Sequence, residues 1–564
     1  MYNESIDDLF ARYGPAYKWF ATITSVIGGM TVILASSTVN VAFPDIMGAF
    51  GIGRDQAQLL STGYFGAMTG GMLLSAWTIQ NFGQRAAFIA ALAVFLFGSA
   101  MSGLATNTFM LSFGRVFQGT AAGIVQPLAM AVTFSVWPSR SKGMSMGLFS
   151  MGMVLAPIMG PTLGGLALEY FNWHYVFLLQ LPTAGIALVM GILFMPSKEL
   201  PKKLPKFDFI GLILMWMALA ALLLSFSFGQ RLGWSSNTII IGFLIGVLSS
   251  IAFILRQIYG EYPLVNMKLF LVPRFSAAAV ISFFAGCAFL SSTFMIPLFV
   301  QEIQHFTPLR AGLLMIPGGL SLLILFPLSG KMTDMFPTSY LIYFGLFSFG
   351  MAFVLMSHAD VNTPFWTFVS FTILIRVGTA FIRPVMNTEA LRALPEDLVN
   401  QGSGVVNFIR MLGAAIGTNV LVVFLELRIP FHLDAFTSTQ IAVNQANREL
   451  VDQISRLLSE AGVAEAIRNP GALHYLGDVI LAQASTLGYQ DAFLALGIFA
   501  FCGFIPAIYL SQAQRKTRPQ TAASPAGGTR PRRSSGGWRT ASPCPPCGPC
   551  PGCSQGCRPS RRGS

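Results

Sequence analysis

Asn237-Thr238-Ile239-Ile240-Ile241-Gly242-Phe243-Leu244-Ile245-Gly246-Val247-Leu248-Ser249-Ser250-Ile251-Ala252-Phe253-Ile254-Leu255 runs for nineteen residues without one charged side chain. As a helix it rises about 28 Å, which matches the roughly 30 Å of hydrocarbon in a bilayer. A half-solvated helix carries a polar stripe; this one has none, so every face must meet apolar surroundings. Runs of the same kind recur along the chain, and the composition follows from them. Of 564 residues 54% are apolar, 12% aromatic and only 10% charged, where a soluble globular chain carries about 25% charged residues. That excludes an ordinary soluble enzyme and predicts an all-α polytopic membrane protein.

Stretches of about 20 mainly apolar residues can be placed at 19–43, 57–79, 86–105, 109–134, 144–168, 174–195, 209–229, 237–255, 276–300, 311–330, 339–357, 364–382, 404–426 and 491–511, fourteen in all. The first is too long for a cleavable signal peptide and no small-residue cleavage site follows it, so it is expected to remain as a helix. Cytoplasmic loops collect Lys and Arg. With both termini inside, fifteen basic residues fall on inner segments and three, Arg54, Arg231 and Arg310, in short outer loops. This predicts a multi-pass protein of a bacterial cytoplasmic membrane with both termini cytoplasmic. The net charge of +12 is no nucleic-acid signal, because residues 515–564 hold ten Lys/Arg and no acid, leaving 25 basic and 23 acidic residues in the body. The lipid bilayer is the expected partner; nucleic acid is not.

The outer segment 427–490 differs from the rest. Gln445 to Leu458 and Ser459 to Ile467 mix charges at helical spacing, which predicts short amphipathic helices outside the membrane. Three basic residues fall inside spans, Arg115, Arg376 and Arg410. An ionisable group there costs about 2.5 to 3.5 kcal/mol on insertion scales, which makes it a functional candidate. Arg115 and Arg376 are candidate transport-pathway residues, Arg115 competing with a reading in which it snorkels to the outer interface; Arg410, near the inner end of its span, is better placed to snorkel. No Asp or Glu falls clearly inside a span, Glu389, Glu426 and Asp491 coming closest.

Two inner turns resemble one another, Ala76-Trp77-Thr78-Ile79-Gln80-Asn81-Phe82-Gly83-Gln84-Arg85 and Gly330-Lys331-Met332-Thr333-Asp334-Met335-Phe336-Pro337. They lie 254 residues apart, from 76 to 330, and Arg115 and Arg376 lie 261 apart. Similar offsets point to a duplicated unit. The expected organisation is a cytoplasmic N-terminus (1–18), a six-helix bundle (19–206), two linker helices (207–270), a second six-helix bundle (271–514) with the outer hairpin 427–490, and a basic Cys/Pro/Gly-rich disordered tail (515–564).

Further motifs make the chain familiar. Leu111-Ser112-Phe113-Gly114-Arg115-Val116-Phe117-Gln118-Gly119 places a buried Arg ahead of Gln-Gly, and Gly152 is followed by Ala156-Pro157-Ile158-Met159-Gly160-Pro161-Thr162-Leu163-Gly164-Gly165. Trp173-His174-Tyr175-Val176-Phe177, Pro297-Leu298-Phe299-Val300-Gln301 and Ala311-Gly312-Leu313-Leu314-Met315-Ile316-Pro317 follow in order. Over residues 19 to about 511 the chain resembles the major facilitator superfamily, and within it the fourteen-spanner EmrB/QacA-type drug:proton antiporters. The resemblance implies the major facilitator fold and makes Gly152, Pro157, Gly160, Pro161, Gly164 and Gly165 the antiporter helix motif. It makes Gln80, Gly83, Arg85, Gly330 and Asp334 a cytoplasmic gate, with Gln80 where many members carry Asp. Independently of the family, glycines let membrane helices approach closely and prolines interrupt the hydrogen-bond ladder, a combination suited to a helix at a rocking interface.

One departure bears on mechanism. The family pattern has an Asp in the first helix; here the stretch reads Leu34-Ala35-Ser36-Ser37-Thr38-Val39-Asn40. A buried carboxylate serves proton exchange because desolvation raises its pKa, so proton coupling would have to use Glu389, Glu426, Asp491 or a protonatable substrate. Cations without an anion favour neutral or acidic amphiphiles. Asn40, Gln118 and Gln126 are expected beside Arg115 as polar pathway residues, hydrogen bonding between helices being their alternative role.

In the tail, Cys547, Cys550, Cys553 and Cys557 match an iron-sulfur spacing, but Arg558 replaces the usual Pro and apolar residues to fold around a cluster are scarce, so no metal or cofactor is expected. No nucleotide-binding Gly-Lys-Ser/Thr loop occurs. The expected function is a secondary transporter, not an enzyme, exporting small-molecule amphiphiles by alternating access against protons. The alternatives are an importer or facilitator of organic anions, and a non-transporting sensor or scaffold. A periplasmic adaptor partner is implied by the resemblance alone.

Overall fold

The computed structural model describes residues 4–197, 207–439 and 445–517. The cysteine run and most of the basic tail lie outside them. Among the described residues the chain is helix and connecting turn, with no strand. Hydrocarbon demands this, because it offers no partner to an open backbone N–H or C=O. The membrane helices are α1 (Tyr17–Phe50), α2 (54–82), α3 (84–103), α4 (Thr108–Val136), α5 (Lys142–Tyr170), α6 (Trp173–Phe194), α7 (Phe209–Leu232), α8 (Asn237–Tyr259), α9 (Pro273–Glu302), α10 (Pro308–Met335), α11 (Thr338–Met356), α12 (Phe365–Arg392), α13 (Val399–Thr439) and α14 (Glu465–Gln514).

Thirteen helical stretches are long and apolar enough to cross a bilayer, and one of them hides two crossings. Within Arg54–Gly103, Gly83 takes φ 75° and ψ 168°, a backbone that a side chain disfavours. A continuous helix would hold Tyr64 and Gly98 about 51 Å apart. Yet Tyr64 packs at Gly119, and Gly98 packs at Gly114 and Gln118, on one stretch of α4. The chain therefore doubles back at Gly83, giving fourteen crossings. Glu4, bonded to Arg85 beside that turn, and Gln514, bonded to Ser339 at the start of α11, lie on the same face, the terminus face below; its opposite is the outer face.

Helices α1 to α6 close on a core that includes Tyr64, Phe88, Phe95 and Leu128, and α9 to α14 on a second that includes Phe275, Phe299, Phe326 and Phe353. Helices α7 and α8 pair beside them, tied by Asp208, whose Oδ1 accepts from Arg256 Nε at 2.6 Å; Trp216 of α7 packs on Gly70 of α2. The architecture is two six-helix bundles with two extra helices.

Helix α5 joins the bundles. One side meets α1, where Gly152, Gly160 and Gly164 lie against Val26, Ser37 and Thr38; the other meets α10, where Gly143 and Gly147 touch Gly330 and Phe326. A Cβ at Gly147 would approach the Phe326 carbonyl oxygen to 2.5 Å, so these backbones meet only because no side chain intervenes. Gly165 faces open space. The helix passes Pro157 and Pro161 without a break.

The outer segment departs from expectation. Helix α13 runs on to Thr439 and α14 begins at Glu465, so the membrane helices themselves extend into 427–490, and only Gln445–Glu460 stands as a separate amphipathic helix there. The second expected helix is cut by Gly462 (φ 78°), its later residues opening α14. Extending an existing helix costs less than nucleating one, and Asp491 of α14 joins Arg428 and His432 of α13, each at 2.7 Å.

Candidate functional site

In the first bundle the intramembrane charge is enclosed. Arg115 is fully buried. Its Nη1 donates to the Ala35 carbonyl and to Gln118 Oε1, both at 3.0 Å, and its guanidinium lies 4.2 Å from the centre of the Tyr64 ring. Gln118 Nε2 donates to Ser99 Oγ at 2.8 Å and to Gln180 Oε1 at 2.9 Å, and Gln180 Nε2 donates to Thr38 Oγ1 at 3.3 Å. Carbonyls, an amide and a π face thus meet the guanidinium without a carboxylate, while its Nη2 is buried without a hydrogen-bond partner among the described residues; so enclosed, the side chain does not reach the interface. Arg115 and Gln118 border neither cavity described below. Asn40 sits apart on an exposed surface, 3.5 Å from Ser61 Oγ, and Gln126 is buried with its Oε1 unpartnered.

A cavity of about 120 Å³ lies among α9, α12 and α13, with Phe65 of α2 on its wall. Phe289, Leu290, Phe349 and Met411 make it apolar, and Arg383, Asn387 and Arg410 supply its strongest polarity. Arg410 donates to the Oδ1 atoms of Asn407 and Asn387, the latter at 3.4 Å. Arg383 makes no ion pair or hydrogen bond among the described residues, and no Asp or Glu lines this space. Arg376 stands behind the wall, its guanidinium 4.9 Å from the centre of the Phe289 ring. Phe65, Leu290 and Met411 also border a wider vestibule of about 620 Å³, walled by Thr69, Thr418, Asn419, Glu426 and residues of α7.

Arg383 is one of the fifteen basic residues that the sequence assigns to inner segments, and Arg410 is expected from it to snorkel to the inner interface. The reason is that the hydropathy boundary falls just before Arg383, whereas α12 continues to Arg392. The apolar Pro384, Val385, Met386 and Ala390 beyond Arg383 were the available signal.

The terminus face is closed. Asp334 Oδ1 accepts from the Gly143 N–H at 2.8 Å and Oδ2 from the Met144 N–H at 2.9 Å, while Arg392 pairs with Oδ1 at 2.5 Å. Ser403 Oγ donates to the Pro127 carbonyl at 3.0 Å and Gln84 Nε2 to Asn400 Oδ1 at 3.1 Å, both between bundles. At the first gate turn Gln80 is exposed, and Arg85 finds its acid elsewhere, in Glu4 at 2.9 Å, while donating to the Met195 carbonyl at 2.7 Å. Glu4 carried no sequence signal, since it lies about 80 residues from its partner.

The three acids separate. Glu389 is buried, accepting from Arg274 Nε at 2.8 Å and Thr338 Oγ1 at 3.1 Å. Asp491 is held by Arg428 and His432. Glu426 borders the vestibule without an ion pair among the described residues.

Comparison with known proteins accords with this geometry. The chain is 28% identical over 496 residues to the uncharacterised MFS-type transporter YhcA of Bacillus subtilis, covering 87% of this chain and 93% of that one. It is 26% identical over 485 residues to the multidrug export protein EmrB of Haemophilus influenzae, covering 85% and 93%. The crystal structure of the human organic anion transporter MFSD10 superposes with a TM-score of 0.55 at 14% identity, over 86% of this chain and 99% of that one, a likeness of fold. Residues 25–418 match the family model described as Major Facilitator Superfamily, and the chain belongs to that superfamily.

Proposed function

We propose that the chain is a secondary exporter that moves amphiphilic small molecules across a bacterial cytoplasmic membrane by alternating access, driven by proton influx, with both termini in the cytoplasm. One observation carries the reading: the bundles are sealed on the terminus face by Asp334 and Gly143 while adjoining cavities lead from Arg410 past Phe65 to Glu426 on the other. This is the arrangement expected of one end point of a rocking cycle around a central site. The outward direction leans on the likeness to the multidrug export protein EmrB.

Glu426 is the proton carrier in this proposal. Glu389 and Asp491 are fixed in ion pairs, and a carboxylate so held exchanges its proton only when the pair breaks. The extended ends of α13 and α14 are where a periplasmic adaptor would meet the protein, testable by co-purification. An importer of organic anions is the second reading, favoured by Arg383 and Arg410 in the cavity wall.

Accumulation of an amphiphile in everted vesicles tests direction and drive together. Export expects accumulation that an uncoupler abolishes. Accumulation only in right-side-out vesicles favours import, and accumulation indifferent to the uncoupler rejects proton drive.

A further inference from the structure

Arg383 and Arg410 line one apolar cavity, and among the described residues no Asp or Glu lines it or pairs with either. Five other arginines of the chain are paired with acids. Arg85 has Glu4, Arg256 has Asp208, Arg274 has Glu389, Arg392 has Asp334 and Arg428 has Asp491. Arg115 and Arg376 also lack an acid, but Arg115 is enclosed by carbonyls, an amide and the Tyr64 ring and Arg376 lies against the Phe289 ring, whereas Arg383 and Arg410 border one open space. Each guanidinium within a bilayer costs about 2.5 to 3.5 kcal/mol on insertion scales, and like charges sharing a low-dielectric space repel. The asparagines beside Arg410 orient it without cancelling its charge.

What the site lacks is an anion, and the remaining walls define what that anion is attached to. Phe65, Phe289, Leu290 and Phe349 present aromatic and branched surface, and past Phe65, Leu290 and Met411 the space continues into the vestibule, where a longer apolar body can extend. Guanidinium forks bind carboxylate and sulfonate oxygens bidentately. Bonds to such fixed donors gain strength where water is excluded.

We propose that this cavity is a binding site for amphiphilic organic anions, the carboxylate or sulfonate head held between Arg383 and Arg410 and the apolar body lying against Phe65, Phe289 and Phe349. The inference rests on the transport reading only in taking the bound anion as cargo. Lipophilic cations meet two positive charges in the same space and are rejected. Phe65 is the lining residue that comes from the first bundle, so movement of the bundles changes the wall against which the body rests, linking occupancy to the cycle.

The test is calorimetric titration of the purified full chain in nonionic detergent with three ligands sharing one ring system: 2-naphthoate, 2-naphthylmethanol and 2-naphthylmethylammonium. Wild type is expected to bind the anion about tenfold or more tighter than the alcohol, as a charge-assisted bond gained at a fixed site implies, with the amine weakest. Arg383→Gln and Arg410→Gln are expected to bring anion and alcohol within about twofold while leaving the alcohol unchanged, which shows the pocket intact; Arg410→Lys keeps the anion ahead. An alcohol bound as tightly as the naphthoate, or an amine bound most tightly, overturns the proposal in wild type alone, whatever the variants' folding. Vesicles separate the two readings. Arginine-dependent naphthoate binding without accumulation rejects export and leaves the site standing, whereas accumulation of the alcohol with no anion preference in binding rejects the site and leaves export standing.

Discussion

Asp334 of α10 grips Gly143 at the first turn of α5: its Oδ1 accepts the Gly143 N–H at 2.8 Å, and its Oδ2 takes the next N–H, that of Met144, at 2.9 Å. These N–H groups have no partner inside their own helix, and a carboxylate there also meets the positive end of the helix dipole. A side chain of one bundle therefore caps a helix of the other. Arg392, from α12, holds the same carboxylate at 2.5 Å.

Asp334→Asn weakens this lock, since the neutral amide has one acceptor oxygen and no charge. Hydrogen bonds to charged groups contribute about 1.5 to 3 kcal/mol each, so losing one shifts the balance between the two states by roughly ten- to a hundredfold. A cysteine at Ser403, buried on the closed seam where Ser403 meets Pro127, reports the change. Its labelling by a membrane-impermeant maleimide from the terminus face is expected to rise at least several-fold in the Asn variant, and an unchanged rate rejects the lock.

The glycines of α5 are not equivalent. A side chain at Gly147 or Gly330 collides with backbone across the bundle seam, whereas a methyl at Gly165 meets nothing within 4 Å. Gly147→Val is expected to cut transport to below about a tenth while insertion persists, overpacking at a tight helix contact costing about 1 to 3 kcal/mol. Gly165→Ala should transport as wild type. Equal losses at both positions would show that the motif acts through something other than close packing.

Proton coupling is expected to fail in Glu426→Gln and to survive in Asp491→Asn, provided that variant inserts normally, because Asp491 is occupied by Arg428 and His432. Substrate-induced alkalinisation or acidification in vesicles, read with a pH-sensitive dye, distinguishes them. Coupling retained in Glu426→Gln removes that residue from the proton path.

Arg115→Ala strands the carbonyl of Ala35 and the amide of Gln118 inside the first bundle. The expected result is a thermal-stability loss of several degrees, consistent with the roughly 1.5 to 3 kcal/mol of a hydrogen bond to charge, with naphthoate affinity in the central cavity unchanged. Unchanged stability together with lost binding would instead place Arg115 on the substrate path.

The bilayer reading was open to the sequence because hydrophobic thickness is a local property. Runs such as 237–255 declare themselves, and even the crossing concealed behind Gly83 is legible as two apolar stretches separated by Gln80, Gln84 and Arg85. The similar turns at 76–85 and 330–337 pointed to a duplicated unit from the chain alone. Charge placement was less legible. Arg115 and Arg376 were found in the membrane, but their surroundings, the Tyr64 and Phe289 rings, come from other helices and could not be read along the chain.

Chain order therefore settled how often this protein crosses the bilayer. Tertiary structure alone decided that Arg383 and Arg410 share a cavity, that Glu4 lies beside Arg85, and that Glu426 has no ion pair among the described residues while Glu389 and Asp491 do. The physical reason is range. Insertion energy adds up residue by residue along a helix, whereas the partner of a charge is whichever side chain another helix brings within a few ångströms.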